Sequence, residues 1–418
     1  MLYFLTMEPE SPGDTSRRAL LRMAPVPLSL PLLAQQRTTA RPFRVDIPAP
    51  SIRRILNRVR EARLPDRLDA SDWRYGVNWD YMKALAQHWT TRYDWRKAET
   101  GLNRYPQFLA PVGDYEIHFY HVRGNGPRPL PLLLTHGWPG SVFEFQEAIG
   151  PLTDPARFGG SADDAFDVVV PSLPGFGFSS KPKGKPIGPP TTARLWHQLM
   201  TSVLGYAKYG AQGGDWGQAV TLQLAGQFPD ELIGIHLNAA GGALAAEGEP
   251  TEEERAWQRA SNAARATEID YFNEQLNKPQ TVAFALSDNP LGAAAWIVEK
   301  MKGWSDSGND LDATFTKDQV LTNIMIYLVT ETVGTGVWFY RGFAEDTAPP
   351  RRGKLGVPTG FAAFPKEMPY LQPPRSVLER SLNLVHYTKM AKGGHFACLE
   401  QPESFVEDVR AFFRKLRG

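Results

Sequence analysis

Gly213-Gly214-Asp215-Trp216-Gly217 has the small-x-nucleophile-x-small form of a nucleophile elbow. Flanking glycines allow a sharp strand-to-helix turn that presents the central side chain at a helix N-terminus. Here that residue is aspartate, which fixes the reaction class. An alkoxide attacking a saturated carbon leaves an ether, which water does not remove. A carboxylate leaves an ester, which hydrolyses. Asp215 therefore reads as a nucleophile for displacement at an sp³ carbon, as in epoxide opening or dehalogenation. The competing reading is a plain helix N-cap, which the glycine spacing and the preceding short strand disfavour.

Hydrolysis of such an ester needs a base and an acid that orients it, and the order nucleophile, acid, base puts both downstream. Three histidines follow Asp215. His236 and His386 sit inside apolar strand patterns and read as structural, whereas His395, in Gly393-Gly394-His395-Phe396, falls in a loop after the last strand. Glu367 is well placed as the acid, with Asp346, Glu345 and the more distant Glu331 as rivals. Oxyanion donors are expected from the backbone N–H of Trp216 and, from the His136–Gly140 loop, that of Trp138; His136 itself reads as a structural hydrogen-bonder. Opening an epoxide also needs a donor for the departing alkoxide. A phenol suits this, being neutral at pH 7 yet acidic enough to donate strongly. Tyr271, Tyr327 and Tyr340 are all available, and residue type does not choose among them.

Several elements must position these groups. Ile52, Ile55, Leu56 and Val59 recur at helical spacing, and a second helix is expected around Tyr81, Leu85 and Trp89. No strand pattern is visible in this lead-in. Strands are expected at Tyr115–Tyr120, Leu130–Leu134, Phe166–Val170, Tyr209–Gln212, Ile233–Leu237, Lys354–Val357 and Leu384–Tyr387. Their continuous apolar runs, alternating with helices such as Thr192–Tyr206 and Gln218–Phe228, indicate a parallel sheet covered on both faces. Between about Gly241 and Phe343 helices at Glu252–Phe272, Leu291–Trp304 and Leu321–Tyr340 replace the strands. A helical insertion of this kind is a lid over the carboxyl ends of the strands, where open α/β sheets bind ligands. The expected organisation is a leader at 1–41, an N-terminal segment at 42–112, the core at 113–240 and 346–418, and the lid at 241–345.

The 418 residues carry 46 Lys+Arg against 45 Asp+Glu, which argues against a nucleic-acid partner. The single cysteine, Cys398, excludes an internal disulfide framework and a thiolate-rich metal site. No apolar run reaches the roughly 18–20 residues of a membrane span, so a soluble, cytoplasmic protein is expected. Ser16-Arg17-Arg18-Ala19-Leu20-Leu21-Arg22, followed by a mildly apolar stretch to Ala34, offers the alternative of twin-arginine export, although Pro25, Pro27 and Pro31 would break a signal helix.

Beyond these local signals, the chain from about Pro42 onward resembles an epoxide hydrolase of the microsomal, juvenile-hormone type within the α/β-hydrolase superfamily. The resemblance is carried by His136-Gly137-Trp138-Pro139-Gly140-Ser141, Leu173-Pro174-Gly175-Phe176-Gly177-Phe178-Ser179 and Gly213-Gly214-Asp215-Trp216-Gly217. It continues through Ser287-Asp288-Asn289-Pro290-Leu291-Gly292, Glu299-Lys300, Val357-Pro358-Thr359-Gly360-Phe361, Phe364-Pro365-Lys366-Glu367 and Gly393-Gly394-His395-Phe396-Ala397. It implies an α/β-hydrolase fold with a helical lid and a helical N-terminal segment that wraps the core. It also implies Asp215 as nucleophile, Glu367 and His395 as the pair that activates water, and Trp138 and Trp216 as oxyanion donors. Tyr271 and Tyr340 become the epoxide-binding phenols, Tyr327 a core aromatic and Pro139 a cis proline. The implied partners are a hydrophobic epoxide and water, without metal or organic cofactor; a homodimer is a further expectation. A haloalkane dehalogenase shares the aspartate elbow, and a non-catalytic carrier of hydrophobic ligands on the same scaffold is the alternative from another class. Residues 1–41 depart from the family's hydrophobic anchor. Glu331 stands where a small residue is usual, with an expected effect on the pocket, and Arg341 and the stretch to Pro349 are also atypical.

Overall fold

The computed structural model describes residues 39–69, 72–241, 249–348 and 353–417. The export signal expected at 16–34 lies outside them. The N-terminal segment holds β1 (Arg41–Phe43), α1 (Ala49–Glu61), α2 (Trp79–Thr91), α3 (Trp95–Leu102) and β2 (Gln107–Val112). The core follows with β3 (Tyr115–Val122), β4 (Leu130–Thr135), α4 (Gln146–Thr153), β5 (Phe166–Pro171), α5 (Pro189–Gln198), β6 (Tyr209–Gly213), α6 (Asp215–Gln227) and β7 (Leu232–Leu237). Six helices form the lid: α7 (Glu252–Glu268), α8 (Asp270–Asn277), α9 (Pro279–Ser287), α10 (Pro290–Trp304), α11 (Lys317–Val329) and α12 (Val333–Glu345). The chain then returns to the core with β8 (Leu355–Ala363), α13 (Arg375–Ser381), β9 (Leu382–Lys389), α14 (Ala397–Glu400) and α15 (Pro402–Arg414).

One sheet runs β1-β2-β3-β5-β4-β6-β7-β8-β9. From β5 to β9 it is parallel, while β1, β2 and β3 add an antiparallel edge. The apolar runs of β4 and β5 are buried on both faces, as a covered parallel sheet requires. Phe145, Ile149, Phe405, Phe412 and Phe413 fill one side, and Trp196, Leu199, Val220 and Leu224 lie in the core cluster of the other.

Two expectations need correction. The N-terminal segment does contain strands, and they extend the sheet. β1 is only three residues long. β2 carries Pro111, a residue that argues against a central strand, but Pro111 lies beyond the Gln107–Leu109 stretch that β1 pairs. The lid helix expected over Leu321–Tyr340 is two helices bent by 85°. Between them Glu331 adopts φ +56°, and the Thr332 N–H donates to Tyr327 O at 2.9 Å. This is the left-handed helix stop that glycine usually provides.

The N-terminal segment grips the lid. Ile55, Val59, Met82, Leu85 and Trp89 are buried, each contributing about 1.5–3 kcal/mol of apolar burial. Arg58 bonds Asp288 Oδ2 at 2.8 Å, and His88 Nε2 lies 2.7 Å from Asp318 Oδ1. No single helix among the described residues is long and apolar enough to cross a membrane.

Candidate active site

β6 ends at Gly213 and α6 begins at Asp215, so the chain reverses within two residues. Asp215 sits at φ +45°, a left-handed conformation that costs a non-glycine residue roughly 1–2 kcal/mol. The turn closes only because Gly217 lacks a side chain: a Cβ there would lie 1.9 Å from Thr135 O. Strain and close packing together push the carboxylate out past the end of the sheet.

Asp215 Oδ1 accepts the Trp138 N–H at 2.7 Å, and Oδ2 lies 3.1 Å from His395 Nε2. On the far side of the imidazole, Nδ1 is 2.9 Å and 3.1 Å from the two oxygens of Glu367, whose Oε1 also accepts the Met368 N–H at 2.8 Å. Trp138 follows β4, Glu367 follows β8 and His395 follows β9, so all three reach Asp215 from loops at the carboxyl ends of strands. The Trp216 N–H lies in the first turn of α6 and makes no hydrogen bond to Asp215. The Trp138–Pro139 bond is cis.

Burial opposes a charge on His395, but the carboxylates of Glu367 and Asp215 outweigh it and hold the imidazole's pKa well above its ordinary value. His395 thus lies between two carboxyl groups, one facing each ring nitrogen. Esterification of Asp215 would remove one of those negative charges and return His395 toward a base.

The lid places both expected phenols over this centre. The Tyr271 ring on α8 stacks on Trp138 at 5.6 Å and 12°. The Tyr340 ring on α12 meets Trp138 edge-on at 5.7 Å and Trp216 at 4.8 Å. Burial raises both phenols well above 10, with Asp215 adding to the effect. Tyr327 points elsewhere and donates to Gly140 O at 2.6 Å.

Three further histidines make structural bonds: His136 Nε2 accepts the Leu173 N–H, and His236 and His386 both bond Asp408. The rival acids are engaged away from the centre. Glu345 pairs with Arg341 at 2.7 Å. Glu331 pairs with Arg54 at 3.0 Å with its side chain 66% exposed. Asp346, just past the end of α12, caps α5. The N-cap there, Gly188, has no side chain, and Asp346 accepts the N–H groups of Gly188 (3.0 Å) and Thr191 (2.9 Å). Asp346→Ala should therefore cost about 0.5–2 kcal/mol of stability, read in a denaturant titration, and leave turnover unchanged. A large loss of turnover would return Asp346 to the list of acids.

Two carboxyls near the site carry no local sequence signal. Glu400 accepts the N–H groups of Gly394 (3.0 Å), Phe396 (2.9 Å) and Asp306 (2.8 Å), clamping both neighbours of His395. Burial raises its pKa to about 7 against those bonds. Glu144 lies beside Asp215, and burial raises its pKa to about 8. It fits because Gly140 leaves room: a Cβ on Gly140 would stand 1.3 Å from Glu144 Oε1. Glu144, Asp215, His395 and Gln212 line a cavity of about 20 Å³, large enough for one water molecule. Among the described residues no group of His, Cys, Asp and Glu is arranged to hold a metal ion.

A mostly parallel sheet with an aspartate elbow after β6, a histidine after its last strand and a helical lid over both defines the α/β-hydrolase class. Residues 131–295 match the model described as alpha/beta hydrolase fold, and residues 40–145 match the one described as epoxide hydrolase N terminus. The chain is 35% identical over 404 residues to epoxide hydrolase 1 of Oryctolagus cuniculus, covering 89% of this chain and 88% of that protein. Among solved structures, the Aspergillus niger epoxide hydrolase superposes with a TM-score of 0.80 at 30% identity, covering 90% of this chain and 97% of that one. The juvenile hormone epoxide hydrolase of the silkworm Bombyx mori gives 0.80 at 28% identity, covering 91% and 95%. The chain belongs to the epoxide hydrolase family, on the side that includes the juvenile hormone enzymes.

Proposed function

We propose that the protein hydrolyses hydrophobic epoxides to vicinal diols through an ester on Asp215. The observation that carries this reading is the carboxylate itself, with one oxygen on the Trp138 N–H, the other facing His395, and two phenols overhead. Oδ2 attacks an epoxide carbon, the C–O bond breaks, and Tyr271 or Tyr340 protonates the departing oxygen. Oδ1 becomes the ester carbonyl. His395, held by Glu367, then takes a proton from water as the water attacks that carbonyl, and the charge on Oδ1 is met by the N–H groups of Trp138 and Trp216. Collapse releases the diol, whose new hydroxyl takes the proton from His395. The second water proton restores the tyrosine.

Oxygen-18 water tests the route in a single turnover. The label should appear in the Asp215 carboxylate and not in the first diol released. Label in that diol would mean direct attack of water on the epoxide and would exclude the ester.

Two further outcomes follow from the phenols. Removing one donor to a developing alkoxide costs about 1.5–3 kcal/mol, so Tyr271→Phe and Tyr340→Phe should each slow ester formation about ten- to a hundredfold. Rapid-quench measurement should show ester hydrolysis much less affected. In addition, the donor form is the neutral phenol, and burial raises both pKa values above 10. Ester formation should therefore hold its rate from pH 8 to pH 10. A fall across that interval would mean that an ordinary, exposed phenol or another acid supplies the proton.

A further inference from the structure

Lys300, toward the C-terminal end of α10, is a charged residue where the fold has little reason to bury one. Its side chain is 7% exposed, whereas lysine is almost never buried unless paired. Its ammonium lies 2.7 Å from Glu299 Oε2 and 3.8 Å from Glu268 Oε2. It also stands 4.6 Å from the centroid of the Tyr271 ring and 5.8 Å from that of Trp304. Glu268 ends α7, just before the helix that carries Tyr271, so one carboxylate holds the ammonium from α10 and the other from the α7–α8 junction. The ring it covers is the one stacked on Trp138, whose N–H holds the nucleophile.

We propose that Lys300 is a positioning residue for epoxide opening: its ammonium, tethered by Glu299 and Glu268, fixes the Tyr271 ring and polarises that phenol toward the epoxide oxygen. The inference rests on Tyr271 being a donor to the epoxide. A cation over an aromatic face is attracted to the ring, and more strongly when shielded from water. That attraction holds the ring's tilt. The same charge favours electron density moving onto the phenol oxygen as its proton leaves, so the effect belongs to ester formation and not to ester hydrolysis.

A double-mutant cycle tests this. Lys300→Met should slow ester formation about tenfold and leave hydrolysis of the preformed ester within about twofold. Lys300→Arg, which keeps a cation that binds aromatic faces, should recover most of the loss. In a Tyr271→Phe background the Lys300→Met effect should shrink to less than about twofold, because the group it acts through is gone. An undiminished effect there overturns the proposal, as does Lys300→Met slowing both half-reactions equally. If Lys300→Met strands the carboxylates and fails to fold, Lys300→Gln with Glu299→Gln runs the same cycle without the nearer unpaired charge. Should Tyr271→Phe alone leave ester formation unchanged, the reading of Tyr271 fails. Should Tyr271→Phe slow it while Lys300→Met does not, only the role of Lys300 fails.

Discussion

The His395→Asn variant should alkylate itself once and then stop. Asn is the informative replacement because its amide nitrogen falls near the position of Nδ1 and can still donate to the buried Glu367, while nothing takes the place of Nε2. Asp215 keeps the Trp138 N–H and both phenols, so attack on the epoxide persists. The ester then meets water without a base. Loss of a positioned general base costs about 10²–10⁴-fold, so hydrolysis should fall by roughly that factor. Intact-mass spectrometry after mixing with excess styrene oxide should show one added epoxide mass on nearly every molecule. Diol release at a near-normal rate would place the base elsewhere, with Glu144 the first group to examine.

The same charges give the pH dependence its sign. In the free enzyme two carboxylates raise the His395 pKa well above its usual value. In the ester only Glu367 remains, burial counts for more, and the imidazole titrates lower than in the free enzyme. Hydrolysis needs the neutral imidazole, so its rate should fall as pH drops through that lower value.

The elbow, His395 and Glu367 were legible as a cluster because each is marked locally. Glycines bracket Asp215 and precede His395, and Glu367 follows a strand end. The choice among three tyrosines was not legible from residue types, since helical spacing cannot tell which lid aromatic faces inward. Family resemblance selected Tyr271 and Tyr340, whose rings lie against Trp138, while Tyr327 donates to Gly140 O. The features that escaped depend on distant partners. β1 and β2 are strands because they pair with each other and with β3, a long-range fact for two short runs. Glu331 breaks a helix without being glycine or proline, held there by the Thr332–Tyr327 bond. Glu144 reads as a surface acid until Gly140 is seen to make room for it. Lys300 was visible as part of the Glu299-Lys300 motif, but its purpose appears only where α7, α8 and α10 meet.

Asp215→Asn should abolish turnover by roughly 10⁶-fold, the scale of deleting a nucleophile, with little change in stability. Asparagine is among the few residues that tolerate a left-handed conformation, and its amide oxygen can still accept the Trp138 N–H. What disappears is the charge and nucleophilicity of Oδ2. Were Asp215 only a helix cap, the substitution would be nearly silent, because Asn caps as well as Asp does. Peptide mass should verify that the amide has survived, and intact mass after epoxide exposure should show no adduct. Comparison with His395→Asn orders the steps: one variant never forms the ester, the other never clears it. The double variant must behave like Asp215→Asn alone, since a base that acts on the ester has nothing to act on when no ester forms. An adduct on the double variant would mean that some other side chain attacks the epoxide.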